Sequence, residues 1–175
     1  MKKDIIIVDD EKDIRELISG ILSDEGFETR LAKDLDSLKI ELIKRVPSLI
    51  LLDVWLDQSN ADGIDILKVL KKSYPYIPVI MISGHGTIDM AINALKIGAF
   101  DFIEKPFDSN ILIMSITRAI ETSELKRQNK ELLKDYYTTS TFVGKSNIAS
   151  NIRSTVEKVS PSESRVLIKG PSGSG

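Results

Sequence analysis

Ser48-Leu49-Ile50-Leu51-Leu52-Asp53 sets four apolar residues in an unbroken row and ends them on an acid. A continuous apolar run of strand length fits the buried centre of a parallel sheet, where helices cover both faces. The same pattern recurs on either side. Residues 4–8 are apolar from Ile5 onward and run into Asp9-Asp10; residues 77–82 lead into Ser83; residues 100–103 lead into Glu104-Lys105. Residues 27–31 form a more polar strand, suited to a sheet edge.

Amphipathic stretches separate these runs. Residues 13–25 place Ile14, Leu17, Ile18, Ile21 and Leu22 on one helical face, and Gly26 closes the helix. Residues 35–45, 63–73 and 87–96 read as further helices, the first ended by Val46-Pro47 and the last by Gly98. Strand and helix in alternation predict an α/β fold with a doubly wound, five-stranded parallel sheet. From Asp108 the pattern stays helical to about Tyr136, longer than an average domain helix. Its second half is highly charged and reads as a linker. Leu125, Asn129, Leu132 and Tyr136 recur at coiled-coil spacing, and an Asn at such a seam sets a two-stranded register. A solvated helix end is the alternative. A break at 138–141, a helix over 147–159 and a strand over 165–169 complete the reading. The expected organisation is a domain over 1–120, a helical linker over 121–141 and the start of a further module over 142–175.

The 24 basic and 26 acidic residues nearly cancel, which gives no argument for nucleic acid or a membrane as a direct partner. A hydrophobic fraction of 42% supports a real core. Cysteine is absent, which removes disulfides, thiol catalysis and cysteine-ligated metals and suits a reducing cytoplasm. The apolar runs are far too short to span a bilayer, and Met1-Lys2-Lys3 enters a strand without a signal-peptide stretch. A soluble cytoplasmic protein is expected.

In open parallel sheets ligands bind outside the carboxyl ends of the strands. Asp9, Asp10, Asp53, Ser83 and Lys105 all gather there, and with strands one and three adjacent the three acids share one pocket. Carboxylates so close repel one another unless a cation sits among them. Oxygen-only ligands suit Mg²⁺, which would offset the charge of an incoming phosphoryl group while Asp53 attacks phosphorus. Ser83 would donate a hydroxyl hydrogen bond to the phosphoryl oxygens and Lys105 would supply a positive charge. The competing reading is that such acids solvate loops or cap helices, as Asp10 could.

Val8-Asp9-Asp10-Glu11, Leu52-Asp53, Ile82-Ser83 and Glu104-Lys105-Pro106-Phe107 resemble the receiver domains of bacterial two-component response regulators, in order and spacing over about residues 1–120. The resemblance implies a flavodoxin-like strand order 2-1-3-4-5 and phosphorylation of Asp53 by a sensor histidine kinase. It implies Mg²⁺ held by Asp10, Asp53 and the backbone carbonyl of Trp55, with Asp9 acting through water. It also implies a cis peptide between Lys105 and Pro106, and a switch in which Ser83 and Phe102 move together. Such a protein is a phosphoacceptor switch, not an enzyme, and a homodimer is expected. Asp53-Val54-Trp55-Leu56, Ser83-Gly84-His85-Gly86 and the run from Gly98 to Phe107 resemble the nitrogen-regulation NtrX type of the NtrC group. The stretch 57–62 departs from the receiver pattern, being longer and without proline. His85, the only histidine, reads as a structural or switch-loop residue, with a phosphotransfer role as its alternative.

Gly170-Pro171-Ser172-Gly173-Ser174-Gly175 resembles the opening of a Walker A loop, in which Gly170, Gly173 and Gly175 would help cradle nucleotide phosphates. The lysine that should follow lies past the last residue. Phe142-Val143-Gly144-Lys145-Ser146 and the run from Arg165 to Gly170 resemble the entry to the AAA+ module of sigma-54-dependent activators. ATP is therefore expected as a cofactor only of a full-length protein, and RNA polymerase with sigma-54, and DNA, as partners reached only through parts missing here. Two other readings compete. A haloacid-dehalogenase-like phosphatase also uses Asp, Mg²⁺, Ser and Lys, but needs an acid two residues after the nucleophile, where Trp55 stands. A pseudo-receiver would only mediate contacts.

Overall fold

The structure is a computed structural model that describes residues 3–56, 62–139, 146–161, 165–167 and 169–170, with residues 134–139 described by backbone only. Five strands, β1 (Asp4–Val8), β2 (Glu28–Ala32), β3 (Leu49–Asp53), β4 (Val79–Ser83) and β5 (Asp101–Glu104), form one parallel sheet. Their order is β2-β1-β3-β4-β5, as expected from the sequence, with the more polar β2 at an edge. The helices between them are α1 (Lys12–Asp24), α2 (Leu35–Lys44), α3 (Gly63–Ser73) and α4 (Ile88–Ile97). The long α5 (Ser109–Thr139) follows, then α6 (Asn147–Val159).

Alternation along each strand builds a core on both faces of the sheet. Ile6, Val8, Ile50, Leu52, Val79 and Met81 pack on one face with α2, α3 and α4. Ile5, Ile7, Leu49, Leu51, Ile80 and Ile82 pack on the other with Ile18 and Leu22 of α1 and Leu112 and Ile116 of α5. Every residue of β1, β3 and β4 is buried, which is why those segments read as unbroken apolar runs. At the amino end of β1 the buried Asp4 carboxylate accepts from Arg30 Nη2 at 2.6 Å and Arg45 Nε at 3.1 Å, and Arg30 also pairs with Glu41. This network ties β1, β2 and α2 together at the end of the sheet away from Asp53.

Local chemistry sets the helix ends. Asp34 and Ser37 form a reciprocal capping box on α2, and Thr87 accepts from the Met90 N–H to start α4. Gly98 ends α4 with φ at 117°, a left-handed conformation that favours glycine. The N-cap of α1 is Glu11, so Asp10 is not spent as a cap.

The chain divides into two compact units, Met1–Lys130 and Glu131–Gly175. Within the first, α5 keeps contact with the loop after α3. Ser123 Oγ donates to the Tyr76 carbonyl at 2.5 Å, and Lys130 Nζ lies 4.6 Å from the centre of the Tyr76 ring. In the second unit, Ser146 caps α6 by accepting from the Ala149 N–H. Thr138 and Thr139, expected in a break over 138–141, belong to α5, and residues 140 and 141 lie outside the described residues. The described residues of the expected strand over 165–169, namely 165–167 and 169, are exposed and outside regular structure, and residue 168 lies outside the described residues. A strand needs a neighbour for its N–H and C=O groups, and among the described residues none pairs with this segment.

Gly63 opens α3 where the chain returns against the end of β3. A Cβ there would meet the Asp53 carbonyl oxygen at 2.2 Å, whereas one on Gly20, inside α1, would meet nothing within 4 Å. Gly63→Ala is therefore expected to destabilise the chain by about 1–3 kcal/mol in urea unfolding. Gly20→Ala should stabilise it by about 0.5–1 kcal/mol. Equal effects of the two substitutions would contradict this packing.

Candidate functional site

The register sets the site. Leu52 pairs with Val8, Asp53 with Ile82 and Ser83 with Glu104, so the residues ending each strand emerge at one edge. Asp9 follows β1, Asp53 ends β3, Ser83 ends β4 and Lys105 follows β5. Asp9, Asp53 and Ser83 are buried, at 1%, 5% and 0% exposure. The Lys105 ammonium lies between the first two, donating to Asp9 Oδ2 at 2.7 Å and to Asp53 Oδ1 at 2.8 Å. The remaining oxygens are held by main-chain donors: Trp55 N–H to Asp53 Oδ2 at 2.8 Å and Glu11 N–H to Asp9 Oδ1 at 2.9 Å. The Lys105–Pro106 peptide is cis, as the resemblance implied.

Burial pushes the Asp53 carboxyl above the ordinary carboxylate range. The Lys105 hydrogen bond and charge oppose that rise, the Asp9 charge adds to it, and the Trp55 N–H again opposes it. Burial alone would pull the Lys105 ammonium down. Its hydrogen bonds and charge pairing with Asp53 and Asp9 outweigh that and hold it above the usual lysine value. Asp10 is half-buried beside this pair, and among the described residues its carboxylate makes no hydrogen bond or ion pair. The Trp55 indole is half-exposed.

Ser83 Oγ accepts from the His85 N–H at 3.3 Å, while the His85 side chain is exposed. The ring of Phe102, on β5, comes close to the same loop. A Cβ on Gly86 would lie 2.7 Å from that ring and 3.6 Å from Ser83 Cβ. Ser83, Gly86 and Phe102 thus compete for one volume.

Asp9, Asp10 and Asp53 form an oxygen-only set whose chemistry suits a hard divalent cation. Among the described residues no three acidic side chains already surround one point as metal ligands, and Lys105 bridges Asp9 and Asp53. Much of the 57–62 stretch, and Gly173 and Gly175, lie outside the described residues; Gly170 is exposed. Three contributors escaped sequence reasoning. Arg15 Nη1 donates to the Asp9 carbonyl at 2.5 Å, Gly63 admits the end of β3, and Gly86 makes room for Phe102. None carries a sequence signal apart from its place in the fold.

Comparison with known proteins agrees with this geometry. Residues 5–117 match the response regulator receiver domain, and the chain belongs to that family. It is 49% identical over 175 residues to the nitrogen assimilation regulatory protein NtrX of Azorhizobium caulinodans, covering 100% of this chain and 38% of that protein. The crystal structure of NtrX from Brucella abortus in complex with ATP matches with a TM-score of 0.72 at 49% identity, over 99% of this chain and 38% of that one. The beryllofluoride-activated NtrC4 receiver domain dimer, solved in solution, matches with a TM-score of 0.64 at 35% identity, over 69% of this chain and 98% of that one. The chain is thus a receiver domain of the NtrX/NtrC type with a further segment, spanning well under half the length of its curated relatives.

Burial raises the pKa of Asp53 in the folded chain. The folded chain keeps this proton to higher pH than the unfolded chain, so the group favours folding below its unfolded pKa and loses that contribution as pH rises through the folded value. Asparagine cannot ionise. Urea unfolding from pH 3 to pH 8 should therefore show wild type losing stability relative to Asp53→Asn as pH rises. A difference that stays flat or runs the other way would contradict the desolvated carboxyl.

Proposed function

We propose that Asp53 accepts a phosphoryl group from a phosphohistidine of a sensor histidine kinase and that the modified chain controls a sigma-54-type transcription activator. The observation that carries this reading is the Asp9–Lys105–Asp53 bridge beside Ser83, at the common edge of four strands. An Asp53 oxygen attacks phosphorus, the P–N bond to the imidazole breaks, and the imidazole leaves with the electron pair and gains a proton from solvent. Lys105 then has phosphoryl oxygens as alternatives to Asp53 Oδ1, and the Ser83 hydroxyl can donate to another. Mg²⁺, held by Asp10, Asp53 and the Trp55 carbonyl with Asp9 acting through water, would supply charge neutralisation of the phosphoryl oxygens. The Phe102 ring already lies against Gly86 beside Ser83, so a shift of Ser83 toward the phosphoryl group would change the packing of that ring, which supports the expected coupling of the two residues.

A groove of 390 Å³ beside the site supports the kinase as partner. Ile14, Leu17 and Ile21 of α1 face Pro106 and Phe107 across it, with Lys105 at its end. Leu17 is 59% exposed, so the apolar face of α1 is wider than the core requires. A helix presenting a phosphohistidine to Asp53 would lie on this face. Homodimerisation is proposed through Leu125, Asn129, Leu132 and Tyr136 on α5, of which the first three are exposed and the Tyr136 side chain lies outside the described residues. In the longer protein the Gly170–Gly175 run would open an ATP site, and polymerase and DNA would be met by other parts.

Incubated with phosphoramidate and Mg²⁺, the chain should gain one phosphoryl mass that Asp53→Asn does not gain; an unmodified wild type, or a modified Asp53→Asn, overturns the assignment. Leu17→Asp should slow transfer from the phosphorylated kinase by about tenfold, the loss of one apolar anchor. Phosphorylation by phosphoramidate should be unchanged in the same variant. Equal slowing with both donors would place the defect in the site rather than in docking.

A further inference from the structure

At the end of the domain remote from Asp53, a cavity of 420 Å³ opens between α3, the Gly98–Phe100 turn and α5. Its volume is many times the roughly 30 Å³ share of one water. Pro75, Ile77, Pro78 and Phe100 give it apolar walls, while Lys71 and Lys126 bring two amines to it and no carboxylate lines it. The stem of Lys71 runs under the turn, its Cγ 3.5 Å from where a Cβ on Gly98 would sit. Its Nζ donates to the Ile77 carbonyl at 2.8 Å.

That environment differs from those of most lysines in the domain. Lys105 is bridged by two carboxylates, and Lys3, Lys12, Lys39, Lys44 and Lys68 each pair with one. Lys71 has no carboxylate partner among the described residues. Burial, with the Lys126 charge as a second cause, lowers its amine to about 8. Lys126 is the charged group facing it from α5, Tyr76 lines the cavity from the loop after α3, and the Gly98–Phe100 turn brings no ionisable side chain. The carbonyl of Ile77 holds one N–H, and the neutral amine keeps its lone pair for the cavity.

We propose that Lys71 is an acylation site, modified on its side-chain amine by acyl phosphates that enter this cavity. The Nζ lone pair attacks the acyl carbon. The new C–N bond forms as the C–O bond to phosphate breaks, phosphate leaves with the electron pair, and the surplus proton on nitrogen passes to solvent. Lys126 favours an anionic donor, and the amide product retains an N–H for the Ile77 carbonyl. Acylation removes a positive charge and seats an acyl group against α5 near Ala119 and Thr122.

Reactivity at neutral pH sets the expected size. An amine titrating near 8 is roughly a tenth neutral at pH 7, against less than about one part in a thousand for an ordinary lysine. If amines follow the slope known for thiols, lower basicity gives back about a factor of ten, leaving a net advantage of about tenfold. The chain is treated with acetyl phosphate from pH 6.5 to 9.5, and acetylation at each lysine is followed by peptide mass spectrometry. Exposed Lys72 and Lys12 serve as internal references. Lys71 should acetylate about tenfold faster than either at pH 7, its rate should level off above pH 8, and the preference should vanish in guanidinium. A Lys71 rate no greater than that of Lys72, a rate still climbing at pH 9.5, or a preference that persists in the unfolded chain overturns the proposal. Acetyl on lysine and phosphoryl on aspartate differ in mass, so this outcome is read separately from the fate of Asp53.

Discussion

A single ammonium group placed between two buried carboxylates governs the architecture of this receiver. Asp9 and Asp53 end neighbouring strands, so the parallel register that buries the central apolar runs also forces two acids together in a desolvated corner. Without Lys105 they would repel one another at short range and one oxygen of each would be desolvated without a partner. The lysine reaches them from the residue that follows β5, just before a cis peptide, and so couples β1, β3 and β5 through one side chain. Burial and pairing oppose each other at Asp53, and burial prevails, which leaves a carboxyl with incomplete charge compensation at a position open to chemistry.

The sheet and its order were legible because its middle strands are buried on both faces. Ile5 to Val8 and Leu49 to Leu52 have no alternative packing that hides so many branched and apolar side chains. Asp9, Asp53, Ser83 and Lys105 were legible for a related reason: polar residues ending apolar strands have one place to go. What escaped was contact between segments distant in sequence. Nothing in Gly63 or Gly86 as letters says that a β-carbon would strike the Asp53 carbonyl or the Phe102 ring. The outward turn of Leu17 was equally hidden, since periodicity reports an apolar stripe without saying how wide the core beneath it is. The described residues of the strand expected over 165–169 lie outside regular structure, since local apolarity alone cannot supply the neighbour that a strand requires.

The domain has two chemically different ends. At the carboxyl ends of the strands, acids converge on one bridging cation beside an apolar groove. At the opposite end, the Asp4–Arg30–Arg45 network closes one side of the sheet, and the cavity holding Lys71 and Lys126 opens on the other. The α5 helix lines that second end, with Ser123 and Lys130 both engaging Tyr76. The loop after α3 is thereby tied to the stretch of α5 that leaves the sheet.

Gly63 shows how a chain can tolerate variation next to a buried carboxylate. The segment that follows Leu56 must come back to a fixed point, because the missing side chain of Gly63 lets the first turn of α3 press against the carbonyl of Asp53 at the end of β3. With both anchor points fixed, the intervening stretch can lengthen or change composition without altering the path of β3. Selection on that stretch is then free to act on its sequence, while the Asp53 carboxylate keeps its address.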